Sequence, residues 1–332
     1  MVKRLTIIIL LIATTLSLAL AWGEWGHKHI NRAAIFALPD SMRIFFYNHS
    51  DFITEESVIP DIRKHTINDK AEGTRHYIDI EDYDKNSVDN LPRTLSEAKA
   101  KYDSSFMQKN GILPWYIQDI MVKLTKAFRD RRKSEILFLA ADLGHYLGDA
   151  NMPLHTSSNH DGQLTGQKGI HSFWEAQLPE HFGDTYNLNV GQAVYISDIT
   201  SETWSIIKHT HSLADTLLLI ERNVKATFVK DRIFRTDSAG NIMKNIFNQP
   251  IHTSEYALAV HNAMNGMVQS QMRHAIKDLA NYWYTAWVNA GRPSLEDLDS
   301  PALFESNNKQ YQKELKLWKK GKLIEIGSLK EF

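Results

Sequence analysis

From Pro114 to Gly291 apolar residues return every three or four positions, the repeat of helices with one buried face. Residues 114–130, PWYIQDIMVKLTKAFRD, place Ile117, Ile120, Met121, Leu124 and Phe128 on one side, with Pro114 at the start, where a helix tolerates it. Residues 134–149, SEILFLAADLGHYLGD, are apolar on most sides, which predicts a central buried helix capped by Ser134. A third helix is expected over 201–222, from Trp204, Ile207, Leu217 and Leu218. A fourth is expected over 254–290, from Met264 to Ala286, stopping at Gly291 and Pro293. Period-two strand patterns are scarce. The expected fold is all-α, one multi-helix domain from Trp22 to about Gly291. Loops are expected at 82–97, 156–170 and 234–250, the last with a possible hairpin around Ala239-Gly240-Asn241.

The two ends read differently. Lys3 and Arg4, the apolar run Leu5 to Leu18 and Ala19-Leu20-Ala21 form an export-signal pattern that predicts cleavage after Ala21 and a mature chain beginning at Trp22. An uncleaved anchor is the competing reading, but the run is shorter than the roughly 20 residues a membrane-spanning helix needs. The chain is expected to be secreted or periplasmic. Residues 292–332 form a Lys-rich extension, expected to be a solvated terminal helix packed through Leu315 and Trp318; the alternative is transient contact with a membrane surface.

Composition narrows the class. Of 332 residues, 43% are hydrophobic and none is cysteine, so neither a disulfide nor a lipid attached at a cysteine can hold the chain. The formal charge of −1 gives no general attraction to phosphate polymers, which argues against a duplex-DNA binder.

The densest chemistry lies in 145–175, HYLGDANMPLHTSSNHDGQLTGQKGIHSFWE. His145 and Asp149 are four apart on a helix, so their side chains share a face. Pro153 ends that helix and His155 follows on the turn. His171 and Glu175 form a second such pair. One imidazole–carboxylate pair is more often a surface hydrogen bond; two pairs and a third histidine within 31 residues, in apolar surroundings, point to metal. Upstream, Asp61 reads equally as a helix cap and as a ligand, and His76 is equally open. Asp79 is a candidate partner for Arg63 or Arg75. His29 is expected on another face of its helix, and His160 in a loop.

Taken together, WGEWGH at the mature start, HYID, HYLGDANMPLH and HSFWE resemble the zinc-dependent phospholipase C and single-strand-specific nuclease superfamily. The resemblance runs by motif from Trp22 to Glu175, and all nine ligand positions are present in order. It implies a secreted all-α enzyme built around three zinc ions. One zinc would take Asp61, His76, His145 and Asp149. A second would take the amine and carbonyl of Trp22 with His27, sharing Asp149, and a third His155, His171 and Glu175. The α-amine, with a pKa of about 7.7–8.0, would be a ligand created by the cut. Asp61 would also accept a proton from the attacking water. Glu175 and most of HYLGDANMPLHTSSN resemble the phospholipase branch, with Ser157 departing from its pattern. WGEWGHKH and HYID resemble the nuclease branch. The expected activity is hydrolysis of a phosphodiester, phospholipase C-like first and single-strand nuclease second, on a phospholipid or single-stranded nucleic acid. A secreted zinc-holding protein without turnover is the remaining alternative; it predicts no pocket above the metals.

Overall fold

The computed structural model describes residues 23–66, 70–245, 248–300 and 302–326. Residues 1–21, the expected signal segment, and Trp22 therefore lie outside the described residues. What is described is mostly helical, with no extended strand among those residues.

Helix α1 (Gly23–Ala37) leads into α2 (Asp40–Asn48), α3 (Ser50–Glu56) and α4 (Ile59–Thr66). The centre is an antiparallel pair, α5 (Leu113–Arg129) and α6 (Lys133–Ala150), joined by a tight turn in which Arg131 adopts φ 56°. In α5 the expected stripe is buried, and Pro114 sits in the first turn. Helix α6 begins after Arg132, so Ser134 lies inside the helix and makes no cap. Its apolar faces are buried on several sides, from Ile136 to Leu147. Each of these large aliphatic side chains contributes about 1.5–3 kcal/mol through burial.

Gly144 sets how closely α1 approaches α6. A Cβ there would stand 1.9 Å from Asn31 Oδ1. The Asn31 amide uses that closeness to donate to the carbonyls of Ala141 and Ile53, both at 3.2 Å. The contact lays α1 along α6 and brings His27 beside His145, their rings stacked at 4.0 Å. A side chain larger than hydrogen at 144 would push the two apart.

The expected helix at 201–222 is two, α7 (Ile199–His211) and α8 (Ala214–Thr227), and that at 254–290 is also two, α9 (Ser254–Ala263) and α10 (Met267–Asn289). Asn265 and Gly266, both at positive φ, make the second break. Helix α10 packs on α1, α5 and α6, where Trp283 donates to the Ala140 carbonyl at 3.0 Å. Within the expected loop at 82–97, Val88–Asn90 forms a 3-10 turn and Leu95–Lys101 starts a capped helix. The segment 234–252 folds back on itself through bridges at Phe234–His252, Thr236–Ile242 and Lys244–Pro250.

The extension carries helix α11 (Glu305–Lys319). Leu315 and Trp318 pack against the core as expected, and the guanidinium of Arg43 lies 4.9 Å from the Trp318 ring. Glu314 is buried among Tyr47 and Arg32, while Lys309, Lys313 and Lys316 face solvent. Among the described residues no helix is long and apolar enough to cross a membrane.

Candidate metal centre

Six elements of the chain deliver the donors. His27 lies one turn into α1 and Asp61 in the first turn of α4. His76 stands on the extended segment before Ile80, next to the 3-10 turn Pro153–Thr156 that holds His155. Those two segments are tied together: the Ile78 amide donates to the His155 carbonyl, and His155 Nδ1 donates to the His76 carbonyl at 2.6 Å. His145 and Asp149 occupy the last turns of α6. After a loop closed by Gly169 (φ 97°), His171 and Glu175 sit on a helical run whose middle, Phe173–Gln177, is a π turn. π turns inside helices concentrate at functional sites.

These residues form three groups, in each of which the donor atoms lie within 4.8 Å of one another: His27, His145 and Asp149; Asp61, His76 and His145; His155, His171 and Glu175. Asp149 faces two ways. Its Oδ1 is 3.6 Å from His27 Nε2, while its Oδ2 is 3.0 Å from His76 Nδ1 and 3.3 Å from His145 Nε2. Asp61 Oδ1 lies 3.5 Å from His76 Nδ1. Glu175 reaches His171 at 3.1 Å and His155 at 3.4 Å. Except for His171, which is a quarter exposed, these side chains are buried. The groups draw on eight of the nine expected ligands, with His145 in both of the first two and Asp149 grouped with His27 rather than with Asp61 and His76. Trp22, the expected amine ligand, lies outside the described residues.

The donor set suits cations. His145 donates Nδ1–H to the Ser57 carbonyl at 2.8 Å, and His171 Nδ1 donates to the His160 carbonyl at 2.8 Å, as His155 does to His76. Such bonds fix the tautomer and leave Nε2 as a bare lone pair. His145 Nε2 then points at His76 Nδ1 from 2.9 Å, and His155 Nε2 at His171 Nε2 from 3.2 Å. Two ring nitrogens that close need a proton or another cation between them. Among the described residues His27 Nδ1 and Nε2, Asp149 Oδ1 and Glu175 Oε2 have no hydrogen-bond partner. Buried polar atoms left so are costly. Buried His, Asp and Glu at these separations can hold metal ions.

The ionisation of the cluster agrees. Burial alone would lower His76, but the hydrogen bond to Asp149, the nearby Glu72 carboxylate and the charges of Asp61 and Asp149 outweigh it and raise it to about 9. Burial is likewise overcome at His171, where the Glu175 charge raises the imidazole to about 9. Burial opposes ionisation of Glu175 too, yet His171 and His155 hold it down at about 2. Asp149 falls well below the usual carboxylate range despite its burial, because of His145 and His155. His27, by contrast, is pushed far down by burial and by His145, which keeps its ring neutral. The carboxylates draw positive charge, and protons supply it where metal does not.

A cleft of about 1410 Å³ opens over the third group; its lining includes His76, His155, His171 and Glu175, whereas Asp61, His145 and Asp149 lie beneath. The bent segment 234–252 supplies Arg235, Asn245 and Gln249 to its wall.

One candidate, Asp79, falls elsewhere than expected. Asp79 pairs with neither Arg63 nor Arg75; it lines the cleft, and burial next to Asp82 and Glu81 pushes its carboxyl up to about 7. Arg63 and Arg75 bind Glu72 instead, at 3.3 and 2.8 Å. His29 stacks on Trp25 and takes no part in the cluster, and His160 lines the cleft near His171. Glu72 escaped the sequence reading; its one signal was a carboxylate four residues before His76. No protein-family model matches this chain, and no curated protein is found similar to it.

Proposed function

We propose that this chain is an exported zinc-dependent hydrolase of phosphodiesters, phospholipase C-like. The observation that carries the reading is the pair of buried donor groups sharing His145, with Asp149 facing both, beside a third group that opens into a large cleft. A donor set of imidazoles and carboxylates without thiols suits zinc at nitrogen and oxygen sites. Asp61, His76, His145 and Asp149 would hold one ion. His27 and Asp149, with the amine and carbonyl of Trp22, would hold a second, and His155, His171 and Glu175 a third. Zinc, when bound, lowers the pKa of water and neutralises charge growing on phosphoryl oxygens. The chain's own part is orientation. Carbonyls of Ser57, His76 and His160 lock three imidazoles with Nε2 forward, and burial excludes competing water from the shared carboxylate. In this reading Asp61 takes the proton of the attacking water. The open cleft is a feature that a protein merely storing metal would not need.

The cleft's charge favours phospholipid. Its lining holds Glu24, Glu55, Glu56, Asp79, Asp161 and Glu180 against Lys64, Lys109 and Arg235. An acidic excess repels a polyanionic strand more than a single diester. One observation favours the nuclease reading: Tyr77 also lines the cleft, and an aromatic ring offers a base a stacking surface. Parallel assays on phosphatidylcholine and single-stranded DNA decide. Release of diacylglycerol is expected; cleavage of nucleic acid alone would reverse the order, and no cleavage of either would remove the proposal.

A further inference from the structure

His145, His155 and His171 all spend Nδ1–H on backbone carbonyls, so each presents Nε2 to the cluster. His76 is turned the other way. Its Nδ1 faces Asp149, Asp61 and His145, at 3.0, 3.5 and 2.9 Å, and its Nε2 points out of the cluster. Among the described residues no carbonyl accepts from His76 Nε2, which has no hydrogen-bond partner. The group facing His76 Nε2 is Glu72, whose Oε1 stands at 3.6 Å.

Glu72 is itself only 1% exposed, a poor place for a lone carboxylate. It is fixed from three sides. Arg75 donates at 2.8 Å and Arg63 at 3.3 Å, and the Tyr146 hydroxyl makes a short bond to Oε1. Arg63 is in turn held by Asp142 at 2.7 Å. Tyr146 and Asp142 both belong to α6, the helix that carries His145 and Asp149. Glu72 thus links the segment bearing His76 to the helix bearing that histidine's neighbours.

We infer that Glu72 is a positioning residue, which keeps the proton of His76 on Nε2 and so turns the Nδ1 lone pair toward the metal group of Asp61, His76 and His145. The 3.6 Å separation is longer than a hydrogen bond, so the control is electrostatic: with a cation on the Nδ1 side offsetting Asp61 and Asp149, the Glu72 charge is the one that faces the ring, and it favours the proton on Nε2. Carboxylates behind metal-binding histidines act in this way, and their loss weakens metal binding about 10–100-fold.

This rests on the reading that the cluster holds metal, and the experiment separates the two. Zinc is titrated into wild type and Glu72→Gln against a chelating dye, and histidine nitrogen chemical shifts are read in the zinc-loaded wild type. We expect wild type to show His76 protonated on Nε2 and ligating through Nδ1. Glu72→Gln should bind one ion about 10–100-fold more weakly, with the ion at His155, His171 and Glu175 unchanged. A general loosening would weaken every ion and leave the tautomer as it was. A wild-type His76 protonated on Nδ1, or unchanged zinc affinity in Glu72→Gln, overturns the inference while the metal centre stands. Should Glu72→Gln fail to fold, the wild-type tautomer alone decides. A wild type that takes up no zinc overturns both.

Discussion

The molecule has two buried clusters of charged side chains on the same helix, and they are finished differently. At residue 32 of α1, Arg32 meets Glu314 of α11 at 3.3 Å; Tyr47 donates to Glu314 at 2.7 Å and Gln310 at 2.8 Å. Cation, carboxylate and neutral donors close on one another, so this cluster is a docking joint for the C-terminal helix. One and a half turns away at His27, acceptors crowd against acceptors, and carboxylates and bare imidazole nitrogens face each other. Burial alone does not distinguish them. The balance of donors to acceptors does, and it is what marks one cluster as structural and the other as a place for cations.

The contrast can be broken most severely at Asp149. Asp149→Asn should release two of three ions and abolish phosphodiesterase activity, read by metal analysis and turnover; His145→Ala and Asp61→Asn should also abolish turnover. Near-native turnover in any of them, or in metal-free protein, would equate the two clusters. Next in size is the free amine. A chain that keeps one extra residue ahead of Trp22 should lose the ion at His27 and hold the other two, seen as a stoichiometry lower by one. At the joint, Glu314→Ala should cost about 3–5 kcal/mol in denaturant unfolding, since it strands Arg32 in a buried place, and leave the metal count untouched. Metal loss there would mean that the clusters are not independent.

The smallest effect is in pH. In the metal-free chain His76 and His171 sit near 9, above an unfolded value near 6.5. Their contribution is therefore complete below about pH 6.5 and is lost as pH rises through about 9. Glu175, held at about 2, contributes above its unfolded value near 4.5 and loses that as pH falls through about 2. With zinc in place of the protons the alkaline loss should vanish. Melting curves from pH 6 to 10, with and without zinc, check this; equal alkaline loss in both would show that protons and metal do not compete.

How much of this could be read from the chain depends on how local the cause is. Helix α5 and the His145–Asp149 pair are set by spacing within one helix, and they stand as expected. The break between α7 and α8 at Ser212-Leu213 has neither glycine nor proline to announce it. Gly266 could have announced the second break, but the apolar repeat ran across it. The π turn under His171 and Glu175 leaves no mark in a spacing of four, because the pair is close either way. Asp79 is a candidate partner for Arg63 or Arg75 in the sequence, but both guanidiniums bind Glu72, and Arg63 binds Asp142 as well. Which carboxylate wins two guanidiniums is decided by helices 70 residues apart in sequence meeting in space, through Asp142 and Tyr146. Gly144 belongs to the same class: its reason is Asn31, across the α1–α6 contact.

The most direct test is the zinc content of the protein, prepared without chelator and measured by elemental analysis against chain concentration. Three ions per chain are expected, falling to two when His171 or Glu175 is replaced by alanine. A chain that carries no zinc and binds none at micromolar free metal would contradict the account.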